Sequence, residues 1–361
     1  MPINKRLKIY RVLYPLAAIY GFVVRVRNLL YDRGWMTTNT FSAPVICVGN
    51  LTVGGTGKTP HTEYLIRLLK HSGRVLVVSR GYKRKNKQNL TATVQMTAED
   101  IGDEPWQMKQ KFKEVELKVC RRREIAIRES LQDRATAPDV VLLDDAYQYR
   151  KVTAGMNVLL TNYHRLICFD CMLPAGRLRE GLYGKERAQV VIVTKCPAEL
   201  SSEECEQVRE CLHLRPHQSL FFTTQKYSDL RQVYGPRVIP LCELDGVPEV
   251  LLIAGIATPE ILLSDFKKWN RRVRLLTYPD HHSFSETDQA EINRAFSSMK
   301  AGSLVVTTEK DMARLHLCRH LSEEVRQSLY VLPLEIEFLH QQHTEFNEII
   351  NAYVKSHQRN G

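Results

Sequence analysis

The stretch "VICVGNLTVGGTGKTPHTEYLIRLL" (residues 45–69) runs from an apolar, β-branched segment through a glycine-rich turn into a helical pattern. A phosphate-binding loop needs that order. The strand brings the chain to a sheet edge, the turn bares backbone N–H groups, and the helix N-terminus adds its positive dipole. The strict pattern is Gly, four residues, then Gly-Lys-Ser/Thr. Gly57, Lys58 and Thr59 complete it, but Thr52 stands at its first position. Gly54, Gly55 and Gly57 lie nearer the phosphates, where relief from side-chain crowding matters more. Thr52, Val53, Gly54, Gly55, Thr56, Gly57, Lys58 and Thr59 therefore read as a nucleotide cradle. Lys58 would reach the β- and γ-phosphates, and the Thr59 hydroxyl would ligate Mg²⁺. The competing reading is a glycine-rich turn with a chance Gly-Lys-Thr; the flanking strand and helix favour the loop.

Such a loop needs an acid at the end of another strand to hold the metal, and "VVLLDD" ends in Asp144 and Asp145. Further apolar runs, "RVLVVSR" (74–80), "NVLLTN" (157–162) and "QVVIVTK" (189–195), are separated by segments of helix or loop. Continuous apolar strands alternating with helices predict an α/β fold, P-loop NTPase-like, whose mostly parallel sheet carries helices on both faces. "PHTEYLIRLLKHSG" (60–73) reads as the first crossover helix, stopped at Gly73. After residue 220, "EVLLIAGIA" (249–257), "RVRLLTYPD" (272–280) and "SLVVTTEKD" (303–311) alternate with helical stretches 258–270 and 286–300, a smaller α/β unit. "SLFFTTQKYSDL" (219–230) and "LYVLPLEIEFL" (329–339) are expected to pair antiparallel as a two-stranded hinge, leaving a terminal helix over 343–357. The expected division is 1–35, 36–220, 221–340 and 341–361.

Two clusters carry reactive groups. "IGDEPWQM" (101–108) sets Asp103 and Glu104 in an apparent loop, and "YPDHHSF" (278–284) puts Asp280, His281 and His282 after a strand. A carboxylate backed by a histidine would serve as the base that a kinase needs against an attacking hydroxyl. Adjacent histidines after a strand are more often structural or metal-seeking than catalytic. "TKCP" (194–197) places Pro197 where a guanine-reading loop has Asp, which argues against GTP.

Net charge is +11, from 51 Lys and Arg against 40 Asp and Glu, so an anionic partner is expected. Lys5, Arg6, Lys8, Arg11, Arg25, Arg27 and Arg33 face only Asp32 in the first 35 residues. Within them "LYPLAAIYGFVV" (13–24) falls short of the roughly 20 apolar residues a bilayer span needs. With Tyr10, Tyr14, Tyr20, Tyr31 and Trp35 it suits a helix lying in the headgroup region; the alternative is a helix packed on the core. Nine scattered cysteines, including one C-x-x-C at Cys168 and Cys171, indicate reduced thiols in a cytosolic setting.

Taken together, "VGNLTVGGTGKTP", "VVSRGYKRK", "GDEP", "DDAYQYR", "LPAGRLRE", "VVTK", "GIATPE", "DHHSF" and "TTEKD" closely resemble the tetraacyldisaccharide 4'-kinase (lipid A 4'-kinase) family, over roughly residues 44–311 and in the family's order. That family's loop likewise carries Ser or Thr where the strict pattern has Gly. The resemblance implies transfer of the ATP γ-phosphate to the 4'-hydroxyl of a tetraacylated glucosamine disaccharide 1-phosphate. It implies a peripheral enzyme on the cytoplasmic face of the inner membrane of a Gram-negative bacterium, with ATP and Mg²⁺ as cofactors and an anionic glycolipid as substrate. By motif, Asp103 matches the catalytic base and His281 its partner, while Glu104, Asp144 and Asp145 match metal-site acids. Arg179 and Glu180 are expected to help hold the acceptor. Two motifs depart from the family. DDGFQH reads "DDAYQY", with Tyr149 in place of His, and LPAGPLREP reads "LPAGRLREG", with Arg177 and Gly181 in place of prolines. The alternatives are a soluble P-loop NTPase or small-molecule kinase and, less favoured, a nucleic-acid patch at "RGYKRKNK" (80–87). No nucleic-acid fold motif accompanies that run.

Overall fold

The computed structural model describes residues 9–256 and 258–358. Lys5, Arg6 and Lys8 of the basic segment, and Ala257 at the end of one apolar run, lie outside the described residues.

The chain lays down β1 (Val45–Asn50), β2 (Val75–Ser79), β3 (Leu90–Thr91), β4 (Glu116–Val119), β5 (Val140–Asp144), β6 (Met156–Asn162), β7 (Val190–Thr194) and β8 (Ser219–Tyr227). A second set follows: β9 (Leu230–Gln232), β10 (Val238–Ile239), β11 (Val250–Ala254), β12 (Val273–Thr277), β13 (Leu304–Thr308) and β14 (Leu329–Leu332). The last strand, β15 (Leu334–Phe338), returns to the first sheet. That sheet has nine strands in the order β15-β8-β7-β6-β1-β5-β2-β4-β3, parallel from β8 to β4. The other has six, ordered β10-β9-β14-β13-β11-β12. Every residue of β1, β2, β5 and β7 is buried, because helices cover both faces; this is why those strands read as unbroken apolar runs. β1 lies centrally, and its register with β5 sets Val48 beside Asp144. The glycine turn and the acidic pair thus leave neighbouring strands at the same sheet edge, where open α/β sheets bind ligands.

The segments 219–230 and 329–339 do pair antiparallel, but each is divided between the sheets. β15 pairs with β8 in the first and β14 with β9 in the second. Pro333 breaks the run, and its carbonyl accepts from Ser228 N at 3.1 Å where the chain changes sheet. The helix His343–Gln358 then docks back on the first sheet: the Tyr353 hydroxyl bonds both backbone groups of Val45, and Phe346 packs against Phe221 and Phe338.

One buried ionic cluster ties the two sheets' helices. Lys111 Nζ sits 2.7 Å from Glu63, on the helix Lys58–Leu69 that follows the glycine turn, and 2.6 Å from Glu309, which opens the helix Glu309–Leu315 of the second unit. Gln107 donates to Glu63 at 2.8 Å. Burial, and then Glu309, push the Glu63 carboxyl up, and Lys111 opposes them. Lys111→Met leaves two buried carboxylates without their cation, so it should destabilise the fold by about 3–5 kcal/mol, read as a lower denaturant midpoint.

Candidate active site

The turn after β1 is built as a phosphate cradle. Gly57 caps the helix Lys58–Leu69 with φ 80°, a conformation that carries a Cβ only under strain, and Val53, Gly54 and Gly55 face solvent at the tip. Thr52 and Thr56 are buried and anchor the turn. The Asn50 amide donates to the Thr56 hydroxyl at 2.7 Å, and Thr52 bridges to Leu178. The replacement at the first loop position is therefore a tethering residue, seated in a short antiparallel pairing with the 170–180 loop. Lys58 Nζ lies 3.8 Å from Asp145, so the helix's first residue faces the acidic strand end.

Three carboxylates gather there. Asp144 is buried and accepts from the Thr62 hydroxyl at 3.2 Å and from Ser79 at 3.1 Å. Burial pushes its pKa up to about 6, with Asp145 and Glu104 adding repulsion and Lys58 opposing. Burial also acts to raise Asp145, but Lys58 and Arg179 outweigh it and hold that carboxyl below the ordinary range. Arg179 donates to Asp145 at 3.1 Å and to the Asn50 side chain. Asp145 sits at φ 44°, and Arg123 holds its carbonyl at 3.0 Å, a strained residue in a functional position.

Asp103 and Glu104 form the first turn of the helix Asp103–Lys111 rather than the loop expected, and Pro105 is tolerated because an N-terminal turn lacks an internal acceptor for its missing N–H. The helix is entered through Gly102 at φ 95°, where a Cβ would meet the Gly81 backbone at 3.1 Å. The "RGYKRK" segment packs against it: Arg84 is tied to the Gln88 carbonyl, Lys85 to Glu99, and the Tyr82 ring stands edge-on to His281.

Asp103 is 2% exposed and meets the second unit directly. Its Oδ2 lies 2.7 Å from His281 Nδ1 and accepts from Arg314 Nε and Nη2, each at 3.1 Å. Burial raises Asp103, yet the His281 hydrogen bond and the Arg314 charge outweigh it, so the carboxyl sits below its ordinary range and is ionised near neutrality. Oδ1 of the same carboxylate is buried and has no hydrogen-bond partner among the described residues. On its other side, His281 Nε2 lies 3.3 Å from Lys310 Nζ, which pairs with Asp280 at 2.5 Å. His282 instead bonds Asp288 at 2.9 Å, in the first turn of the helix Glu286–Ser297 that Ser285 caps, so of the adjacent pair His281 turns to the cleft and His282 braces that turn.

Across residues 9–355 the chain matches the profile of the family described as LpxK, Tetraacyldisaccharide-1-P 4'-kinase. The chain belongs to this 4'-kinase family. It is 46% identical to a Tetraacyldisaccharide 4'-kinase of Bacteroides thetaiotaomicron, over 98% of this chain and 96% of that relative. To the protein of the same name in Flavobacterium johnsoniae it is 42% identical, over 96% of this chain and 97% of that one. A crystal structure of LpxK from Aquifex aeolicus in complex with ATP superposes with a TM-score of 0.74 at 26% identity, covering 95% of this chain and 98% of the other. The P-loop α/β architecture is thus the 4'-kinase architecture.

One residue differs from the sequence-based expectation. Glu180 is fully buried, and Asn28 at 2.6 Å and Arg187 at 2.5 and 3.0 Å occupy its carboxylate oxygens. It ties the helix Tyr14–Asp32 to the loop beside the glycine turn, so it holds the scaffold and offers no free oxygen to an acceptor. Tyr149, in place of the 4'-kinase family's usual histidine, donates to Glu124 and stacks under Arg123 at 4.7 Å, the arginine that holds Asp145. Sequence reading missed Arg314, Thr62 and Ser79. Thr62 stands one helical turn after Lys58 on the same face, a spacing that could have flagged it, whereas Arg314 meets Asp103 only across the fold.

Proposed function

We propose that this chain is an ATP-dependent kinase that phosphorylates the 4'-hydroxyl of a tetraacyl glucosamine disaccharide 1-phosphate. The observation that carries the mechanism is the Asp103–His281 contact beside the acidic group that faces Lys58. The acceptor oxygen attacks the γ-phosphorus, its proton passes to Asp103 Oδ1, the bond to the β-phosphate oxygen breaks, and ADP leaves. His281 and Arg314 hold the other carboxylate oxygen, so Oδ1 is left unshared. Lys58 and the backbone N–H groups of residues 54–59 would bind the phosphates, and Arg179 would face the transferred group.

The donor set fits Mg²⁺. Burial raises Asp144 most, and the repulsion that Asp145 and Glu104 add is an excess of negative charge that a divalent cation relieves. Thr59, Asp144, Asp145 and Glu104 would hold it, and it would neutralise charge on the β- and γ-phosphate oxygens.

The helix Tyr14–Asp32 supports attachment to a membrane surface. With the turn Arg11–Leu13 it is 22 residues, longer than the 13–24 run suggests and long and apolar enough by length and composition to cross a bilayer. One face is committed to the protein through Ala17, Val24, Asn28 and the Tyr20 hydroxyl bond to Arg179. Leu16, Ile19, Phe22 and Val23 are 56–69% exposed, with Arg25 and Arg33 beside them. A helix with one bound face and one bare apolar face lies in the headgroup layer and presents the site to an anionic lipid. We place it on the cytoplasmic face of the inner membrane. The β8–β15 and β9–β14 pairs serve as the hinge between a core over 36–220 and a smaller unit over 221–340.

Incubation with ATP, Mg²⁺ and the disaccharide 1-phosphate lipid, followed by mass spectrometry, should yield the 4'-phosphorylated lipid; ATP consumption with no lipid product would favour a plain NTPase. Changing Leu16, Ile19, Phe22 and Val23 together to Ser should weaken sedimentation with anionic vesicles by about a hundredfold or more. Undiminished sedimentation would mean the helix does not mediate attachment.

A further inference from the structure

Two cations flank the glycine turn, and among the described residues neither side chain has a hydrogen-bond or ion-pair partner. Lys195 follows β7, and its Nζ lies 3.9 Å from the point a Cβ on Gly55 would occupy. Arg177 Nη1 lies 3.6 Å from the matching point on Gly54. Both are fixed to the turn through their own or their neighbours' groups. The Thr194 hydroxyl donates to the Thr56 carbonyl at 3.0 Å, and the Arg177 carbonyl accepts from Val53 N at 2.8 Å. Lys195 is held at φ 57°, in the left-handed region that residues other than glycine seldom adopt. Burial with no counter-charge pushes its pKa down, a penalty that an anion at the turn would remove.

The acids fix which end of a nucleotide these cations meet. Asp144, Asp145 and Glu104 gather on the β5 side of β1, so the transferred phosphate points that way. β7 lies on the opposite side, beyond β6, and Arg177 belongs to the loop that follows β6. The remainder of a bound nucleotide would then extend toward β6 and β7. Resting on the kinase reading above, we propose that Lys195 and Arg177 grip the nucleotide at its α- and β-phosphates and set its affinity rather than the rate of transfer. Arg177 stands where the family's usual loop has proline, which has no side-chain donor, so this chain carries an added contact.

The test is calorimetric binding of ADP and ATP to the full chain, with steady-state kinetics, for the wild type, Lys195→Met, Arg177→Gln and the conservative pair Lys195→Arg and Arg177→Lys. Each neutral variant should weaken ADP and ATP alike by about tenfold, as for loss of one charge-assisted hydrogen bond. The maximal rate at saturating ATP should stay within about threefold, and the conservative variants should restore most of the affinity. ADP affinity unchanged in both neutral variants, with a wild type that binds ADP, would overturn the proposal. A fall in kcat with unchanged KM for ATP would overturn it too, placing the cations on the transferred phosphate or the acceptor. A wild type that binds neither nucleotide would refute the kinase reading itself.

Discussion

Asp103→Asn is expected to lower kcat by about 10²–10⁴-fold, the range for loss of a positioned general base. The amide keeps the shape of the carboxylate but cannot take the acceptor's proton at Oδ1, and it leaves Arg314 without its counter-ion. Because Asp103 makes no contact with the glycine turn, ATP affinity should remain within about threefold of wild type. Parallel measurement of kcat and nucleotide binding checks both halves. Turnover at the wild-type rate would remove Asp103 from the chemistry, whereas a collapse in ATP binding would make its role structural.

Lys58→Met carries the second large effect. The ammonium is the first helical residue after Gly57, 3.8 Å from Asp145, and its charge would follow the electrons that build on the β–γ bridging oxygen as transfer proceeds. Loss of one such preorganised donor costs about 10²–10³-fold in kcat. Methionine preserves the stem that packs at the helix start, so the fold should persist. Single-turnover rates under saturating ATP separate this loss from weaker binding; a variant that loses affinity but keeps its maximal rate would show that Lys58 binds ground and transition states equally.

Much of the architecture was legible because parallel strands buried on both faces leave unbroken apolar runs, as in β1, β2, β5 and β7. The misses have local causes. β4 alternates half-buried and buried residues beside the sheet edge, so "ELKV" carries too little apolar signal. "TTEKD" reads as a continuing strand, yet Thr308 caps a helix by accepting from Asp311 N at 3.1 Å. In the site, the glycine turn, the paired acids and Asp103 carried recognisable local patterns. Arg314 did not, because its partner lies 211 positions away and only the closing of one unit on the other unites them. Glu180 was visible as a motif residue, but its complete burial depends on Asn28, 152 positions earlier.

The most direct test is a structure of the full chain with a non-hydrolysable ATP analogue, Mg²⁺ and the disaccharide 1-phosphate lipid. The account predicts Asp103 Oδ1 within about 2.6–3.2 Å of the 4'-hydroxyl, in line with a γ-phosphate that Lys58 touches. A hydroxyl lodged beyond reach of that carboxylate, or a triphosphate that bypasses the turn around Lys58, would contradict it.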